Sequence, residues 1–387
     1  MSLPPTPPPP SAVREPQHAV QVVDGASAGT GAHVRSLTEG LVARGLRVTV
    51  CAPSGAEEVY GFTGAGARFA PLPARNEPEA AAGLRRLCAD ADLVHAHGVR
   101  AGLLALTTLA LSGRAGRAPL VVTWHHRSNA SVARAPLRRL MERRVACSAS
   151  VVLAVTTDLV DRARRRGARD ARLAPVVLPG PARDEAPLEP RAAVESRAQH
   201  KSRAEVGAVG RPLVFSVGRL DDRHGYGTAL SAARSWRHLD PPPLLAIAGE
   251  GPQRAQLQRR IVEEELPVRL LGRRDDAFEL LAGADVALLS SRWEGRPLLA
   301  QEALHGGVPL VATSVGGVPE LVGDAAELVP YGDARAIAAA VGGLLADPER
   351  REGLVARGLA RAAEWPTEES TVAHVLSVYD ELTGARP

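Results

Sequence analysis

Aromatic residues make up only 3% of this 387-residue sequence. Four Trp, four Tyr and four Phe are too few for a surface that stacks bases or sugars on exposed rings. Cysteine is equally scarce. Cys51, Cys88 and Cys147 stand far apart in no paired motif, which argues against a disulfide framework and fits a reducing cytosol. Long apolar runs are missing too, and the longest, around residues 101–111, is too short to cross a bilayer. Charge of one sign does not accumulate: 47 basic and 43 acidic residues leave a net +4. No basic cluster interleaved with aromatics appears, so a nucleic-acid partner is not expected. The opening MSLPPTPPPP lacks the basic-then-apolar order of a signal peptide and reads as a disordered, polyproline-like tail over residues 1–16. What remains is an apolar fraction of 45%, carried by Ala and Leu. In a chain of this length that suits two cores of ordinary size. A pI near 9.3 fits solvated arginine faces, and leaves open an arginine-lined phosphate pocket or contact with an anionic membrane.

Short β-branched runs alternate with amphipathic stretches along the chain. HAVQVV, LRVTVC, DLVHAH, PLVVT and SVVLAV occupy the first half, with Val34, Leu37, Leu41 and Val42 on one helical face between the first two. The pattern dissolves over residues 181–210, read as a connection with a short helix at 191–205, and resumes with PLVFSV, PLLAIA, PVRLL, ADVALLS and VPLVA. Strand–helix alternation calls for parallel sheets covered on both faces. The expected architecture is therefore α/β: two doubly wound, Rossmann-like domains over residues 17–180 and 211–365, facing a central cleft. A closing helix is expected within 366–387. Ligands of open parallel sheets sit outside the carboxyl ends of the strands, so residues just after strands come first.

The most informative stretch is SSRWEGRPLLAQEALHGGVPLVAT. Glu294 follows a strand, and Pro297 suits a helix start, where its missing N–H costs nothing. Gly295, Arg296, Pro297 and Leu298 then lie where free backbone N–H groups and the positive helix end meet a ligand's oxygens. Glu302 lies about 8 Å further along that helix, too far to share a metal or proton with Glu294 but able to hold the other end of an elongated ligand. Arg219, directly after the first strand of the second half, offers a fork of donors to phosphate, with a surface ion pair as the plainer role. In DGASAGTGAHV, Gly29 and Gly31 would let backbone approach a phosphate, but the dinucleotide fingerprint is incomplete and a simple turn is equally good. His95 and His97 share one strand face. A zinc-hydrolase reading would gather them with His125 and His126, yet no histidine–carboxylate set accompanies them. Asp221-Asp222 and Asp275-Asp276 read as turn or cap residues. No metal site and no bound cofactor are expected.

Taken together, SVGRLDDRHG, AGEGPQ, the Glu294–Glu302 pair, VGGVPE, GTGAHVRSLTEGLVARGLRVTV, DLVHAHG and VVTWHH make the chain similar to the family 4 retaining glycosyltransferases of the GT-B fold, from about residue 18 to its end. That resemblance implies a nucleoside diphosphate sugar as substrate. It assigns Glu302 to the ribose, Glu294 and His125 to the transferred sugar, and the loop Gly295 to Leu298 to sugar hydroxyls. Arg219, Arg223 and His224 fall to the diphosphate, Gly29 and Gly31 to the facing loop, and His97 to the acceptor side. Two departures stand out. The related enzymes carry a lysine-glycine pair where this chain has His224-Gly225, with Arg223 alongside. They usually have an aromatic residue at Arg296 and often glycine at Pro297, which bears on the donor sugar rather than on the pocket.

The expected activity is metal-independent transfer of a hexose-type sugar to a glycan, lipid or small-metabolite acceptor. The expected location is the cytoplasm, with peripheral contact at the inner face of the membrane left open. An epimerase or hydrolase of sugar nucleotides on the same fold, or a non-catalytic partner of an active transferase, are the rival readings.

Overall fold

The computed structural model describes residues 17–25, 28–72, 77–111, 118–127, 135–176 and 203–384. The proline-rich tail and most of the expected connection, including nearly all of its helix at 191–205, lie outside the described residues. Seven strands form the first sheet: β1 (His18–Val23), β2 (Arg47–Pro53), β3 (Arg68–Leu72), β4 (Leu93–His97), β5 (Leu120–Trp124), β6 (Val151–Ala154) and β7 (Ala171–Leu173). Six form the second: β8 (Leu213–Val217), β9 (Leu244–Ala248), β10 (Val268–Gly272), β11 (Val286–Leu289), β12 (Leu310–Thr313) and β13 (Glu327–Val329). All named strand pairs are parallel, in the orders β3-β2-β1-β4-β5-β6-β7 and β10-β9-β8-β11-β12-β13.

Helices cover both faces of each sheet, which is why the strands read as nearly unbroken apolar runs. Successive side chains of β1 go to opposite layers. Val20 and Val22 pack with Val94, Ala96 and Val122, while Ala19 and Val23 pack with Leu37, Leu41 and Val375. Burying a Val or Leu side chain contributes about 1.5–3 kcal/mol. These layers, not the sparse aromatics, therefore hold the sheet.

In each sheet the strand order reverses beside its first strand, between β1 and β4 and between β8 and β11. A crevice opens beyond the strand ends at such a point. In the first sheet Val23 stands beside His97, and His97 beside Thr123. In the second, the Arg219–His224 loop follows β8 and the Ser290–Glu294 segment follows β11. The candidate residues thus collect at the two reversal points.

The last helix, Glu368–Gly384, returns to the first half. Val372, Val375, Val378 and Tyr379 join the layer of Val34, Leu37 and Leu41. Gly40 permits this approach, since a Cβ there would lie 2.5 Å from a Val372 methyl. Salt bridges and hydrogen bonds from Arg172 to Glu381 (2.7 Å) and from Gln17 to Thr383 (2.6 Å) fix the helix further.

Candidate functional site

The loop after β8 is organised by a residue first read as a turn former. Asp221 accepts from the Arg223 side chain (2.7 Å) and bonds His224 Nδ1 (2.8 Å), and Arg219 Nε lies 3.8 Å away. Burial would raise its pKa, but hydrogen bonds from Arg223 and His224 bring it down to about 2, so it is a carboxylate at any working pH. Arg219 and Arg223 remain half or more exposed, at 64% and 50%, so an anion can reach both. His224 is anchored through Nδ1, with Nε2 beside Gly218, where a Cβ would stand 3.3 Å from it; its ring lies flat beside Tyr226 with centroids 6.0 Å apart. Gly225 has φ +67°, and a Cβ on it would stand 2.1 Å from the Ser290 carbonyl oxygen. The loop is therefore pressed against the end of β11, where the Ser290 hydroxyl donates to the His224 carbonyl (2.7 Å).

Glu294 sits behind this cluster. Burial raises its carboxyl pKa, opposed by a hydrogen bond from Ser291 and by the charges of His224 and Arg223. The following helix runs Leu298–His305 with Pro297 as its N-cap (φ −64°, ψ 132°), so the proline precedes the first helical residue. Leu298 is partly buried in the first turn, and Glu302 lies one turn on, its pKa raised by burial. Arg296 does not reach into the crevice with its side chain. Nε donates to the Val176 carbonyl (2.8 Å), the guanidinium lies 5.9 Å from the Trp365 ring, and burial lowers its pKa to about 10. Only its backbone is available to a ligand.

Gly29 and Gly31 fall in the first turn of the helix Ala28–Ala43. Nothing crowds Gly29, whereas a Cβ on Gly31 would lie 2.1 Å from the Tyr60 ring. Packing against Tyr60 is thus reason enough for Gly31, independent of any phosphate.

The histidines form one connected network. Gln21 donates from its amide nitrogen to the Tyr379 hydroxyl (2.8 Å), which turns its carbonyl oxygen to His97 Nε2 (2.8 Å). That oxygen can only accept, so His97 carries its proton on Nε2 and offers the Nδ1 lone pair to His125 Nε2 at 3.1 Å. The Tyr379 hydroxyl in turn meets His95 Nδ1 (2.7 Å), and His95 Nε2 meets Thr123 Oγ1 (2.7 Å). His33 stands edge-on to His97 and His125, with centroids 5.8 and 5.4 Å away. Burial pushes every one of these imidazoles down, His33 to about 4 and His95 to about 3, so all are neutral at pH 7. The His126 pKa is lowered first by burial among its neighbours and then by the charge of Arg223. Among the described residues, one group of potential metal ligands converges: His33, His97 and His125, with ligand atoms all within 4.8 Å of one another.

The two halves touch at this same place. A Cβ on Gly295 would lie 2.8 Å from the His125 carbonyl oxygen, and one on Gly317 would lie 2.2 Å from the Thr156 methyl. Gly317 N–H donates to the Glu294 carbonyl (2.9 Å), locking the VGGVPE turn to the Glu294 loop. Glu320 accepts from the Thr157 N–H (3.0 Å), at the start of the first half's helix Thr157–Arg165, and Trp293 donates to Asp158 (3.2 Å). Sequence reasoning did not single out Gln21, His33 and Tyr379, nor Thr156, Thr157, Asp158 and Trp293 on the cross-half contact. A glutamine inside the apolar run HAVQVV was the available signal, since a buried polar side chain requires a partner.

Comparison with known proteins shows the family. The family described as Glycosyl transferases group 1 matches residues 198–361, and the Glycosyl transferase 4-like domain matches residues 28–179. The chain is 32% identical over 321 residues to a GDP-mannose-dependent alpha-(1-6)-phosphatidylinositol monomannoside mannosyltransferase of Mycolicibacterium smegmatis, covering 78% of this chain and 81% of that protein. It is 29% identical over 280 residues to a 2-deoxystreptamine N-acetyl-D-glucosaminyltransferase of Streptomyces fradiae, covering 68% of this chain and 65% of that one. In structure it is similar to HepE of Anabaena in complex with UDP-glucose, with TM-score 0.79 and 17% identity over 93% of this chain and 99% of that one.

Proposed function

The chain belongs to the group 1 glycosyltransferases and has their GT-B fold of two Rossmann-like domains about a central cleft, and from that premise we propose that it transfers a hexose-type sugar with retention at the anomeric carbon and without a required metal. The observation that carries this reading is the meeting of three side chains after β8 (Arg219, Arg223 and His224) with Glu294 and a helix start after β11. Cations and free helix N–H groups stabilise the charge of a departing diphosphate where it develops. His224, held through Nδ1 by Asp221, faces the diphosphate beside Arg219 and Arg223. Glu302 holds the ribose, Glu294 and His125 orient the sugar, and His97 faces the acceptor. The backbone of Gly295, Arg296 and Leu298 supplies the donors, while Pro297 supplies none. By analogy with the retaining family, the acceptor attacks on the face the diphosphate leaves, and a leaving phosphate oxygen takes its proton.

A peripheral position at the inner face of the membrane fits the helix Ala135–Ser148. It exposes Leu137 (60%) and Leu140 (63%) beside exposed Arg139, Arg143 and Arg144, a pattern suited to an anionic lipid surface. GDP-mannose is the first donor to offer, because the relative aligned over four fifths of its length is named for it. Purified protein is incubated with GDP-mannose and with UDP- and ADP-sugars, with and without phosphatidylinositol monomannoside or 2-deoxystreptamine. The expected result is nucleoside diphosphate release that requires an acceptor, persists in chelator and yields product of the donor's anomeric configuration. Release with free sugar and no acceptor dependence would make the protein a hydrolase instead.

A further inference from the structure

The network around His97 does more than orient one ring. His33 comes from the helix Ala28–Ala43, His97 from the end of β4 and His125 from just beyond β5, and their ligand atoms all lie within 4.8 Å of one another. His97 Nδ1 and His125 Nε2 are 3.1 Å apart. Two nitrogens bound at about 2.0–2.1 Å to one tetrahedral ion stand roughly 3.3 Å apart, so this pair needs almost no movement. His97 is also held as metal-bound histidines are: its other nitrogen donates to Gln21 Oε1 at 2.8 Å, and Gln21 is fixed in turn by Tyr379 at 2.8 Å. Such an outer partner sets the tautomer and aims the lone pair. His33 and His97 are nearly sealed, at 4% and 3% exposed, while His125 is partly open. An ion would enter past His125, from the side where Gly295 of the second half approaches.

We propose that His33, His97 and His125 form a binding site for one divalent transition ion of the zinc class, with its fourth position toward the crevice. Three neutral imidazoles with no thiolate or carboxylate suit zinc and cobalt, and disfavour magnesium and calcium, which take oxygen ligands. On binding, His125 moves its proton from Nε2 to Nδ1 and gives the Nε2 lone pair to the ion. The functional consequence rests on the transferase reading above. An ion here occupies the two nitrogens assigned to sugar and acceptor, so it inhibits transfer reversibly rather than assisting it.

The test needs no turnover. Chelator-treated full-length protein is titrated with Co2+ and followed by the visible ligand-field absorption of tetrahedral cobalt. The expected outcome is saturation at one ion per chain, displacement by Zn2+, and loss of the band in His33→Ala. Gln21→Ala, which removes only the outer partner, should weaken binding roughly 10- to 100-fold, whereas His126→Ala should leave it unchanged. Absence of a saturable band in wild type, or a band indifferent to both His33→Ala and Gln21→Ala, overturns the site. Should His33→Ala misfold by circular dichroism, Gln21→Ala and His126→Ala still decide the question. Zn2+ inhibition of acceptor-dependent release, reversed by chelator, tests the consequence separately. A chain that binds cobalt but transfers nothing refutes the transferase and leaves the site; one that transfers without binding does the reverse.

Discussion

A few side chains carry the proposed chemistry, and each has its own consequence. Arg219 and Glu302 contact opposite ends of the proposed donor. Replacing either with Ala should cost roughly 2–4 kcal/mol of transition-state stabilisation, read as a fall in kcat/KM. Wild-type values in both variants contradict the assignment. Glu294 is predicted to act ionised, yet burial raises its pKa. A carboxyl so raised protonates at a higher pH than an ordinary glutamate, whose pKa is about 4.3. Activity should therefore fall on the acid side at a pH above that value, and Glu294→Gln should remove this limb from the kcat/KM profile. An unchanged limb in the variant would place the titration elsewhere. The substitution of histidine for the related enzymes' lysine at position 224 also looks different beside the whole composition. Lys201 is the only lysine among 47 basic residues, so the chain builds its positive charge almost wholly from arginine. Arg223 beside His224 is in keeping with that habit. Glu294 and Arg219 could be picked out from the sequence because they stand just after strands, and Glu302 because it follows Glu294 along the next helix. Asp221 was read as a turn residue because nothing local shows that Arg219, Arg223 and His224 converge on it.

Among the elements, the final helix does the least expected work. Its amphipathic pattern was visible, and its span of Glu368–Gly384 lies within the 366–387 expected for it. Its partner was not, because the layer it joins lies more than 300 residues earlier in the chain. The apolar stripe ends in Tyr379, whose hydroxyl lies between Gln21 and His95. Tyr379→Phe keeps the packing and removes that hydroxyl, leaving buried polar groups on Gln21 and His95 without their partner. Such losses cost about 1–3 kcal/mol each. The expected outcome is a lowered Tm together with a reduced kcat, because His97 loses the brace that sets its tautomer. A lowered Tm with kcat intact would confine Tyr379 to a structural role. Ten of the thirteen strands followed from the apolar runs, since both faces of each sheet are covered; β3, β7 and β13, short and partly exposed at the sheet edges, did not. The convergence of Gln21, His33, His97 and His125 did not, because it depends on where a helix docks over a sheet and no spacing along the chain encodes that.

At the scale of the molecule, the two halves meet beside the crevice through close backbone approaches together with side-chain contacts from Trp293, Arg296 and Glu320. Gly295 and Gly317 are glycines because the opposing half leaves no room for a Cβ. This gives VGGVPE a reason distinct from ligand contact: it fits the second half against Thr156 and ties it to Glu294. Gly317→Ala should destabilise the protein by roughly 1–3 kcal/mol through overpacking and should also weaken donor binding, because the Glu294 carbonyl shares that contact. Destabilisation with unchanged donor affinity would separate the interface from the site. The central claim remains that the crevice beside β8 and β11 holds a nucleoside diphosphate sugar. Its most direct test is a thermal-shift titration with GDP, UDP and ADP on wild type, Glu302→Ala and Arg219→Ala. One diphosphate should raise the wild-type Tm saturably, by an amount equivalent to about 2.7 kcal/mol at one hundred times its Kd, and both variants should lose most of that rise. No stabilisation by any of the three, or an equal rise in all three proteins, would contradict it.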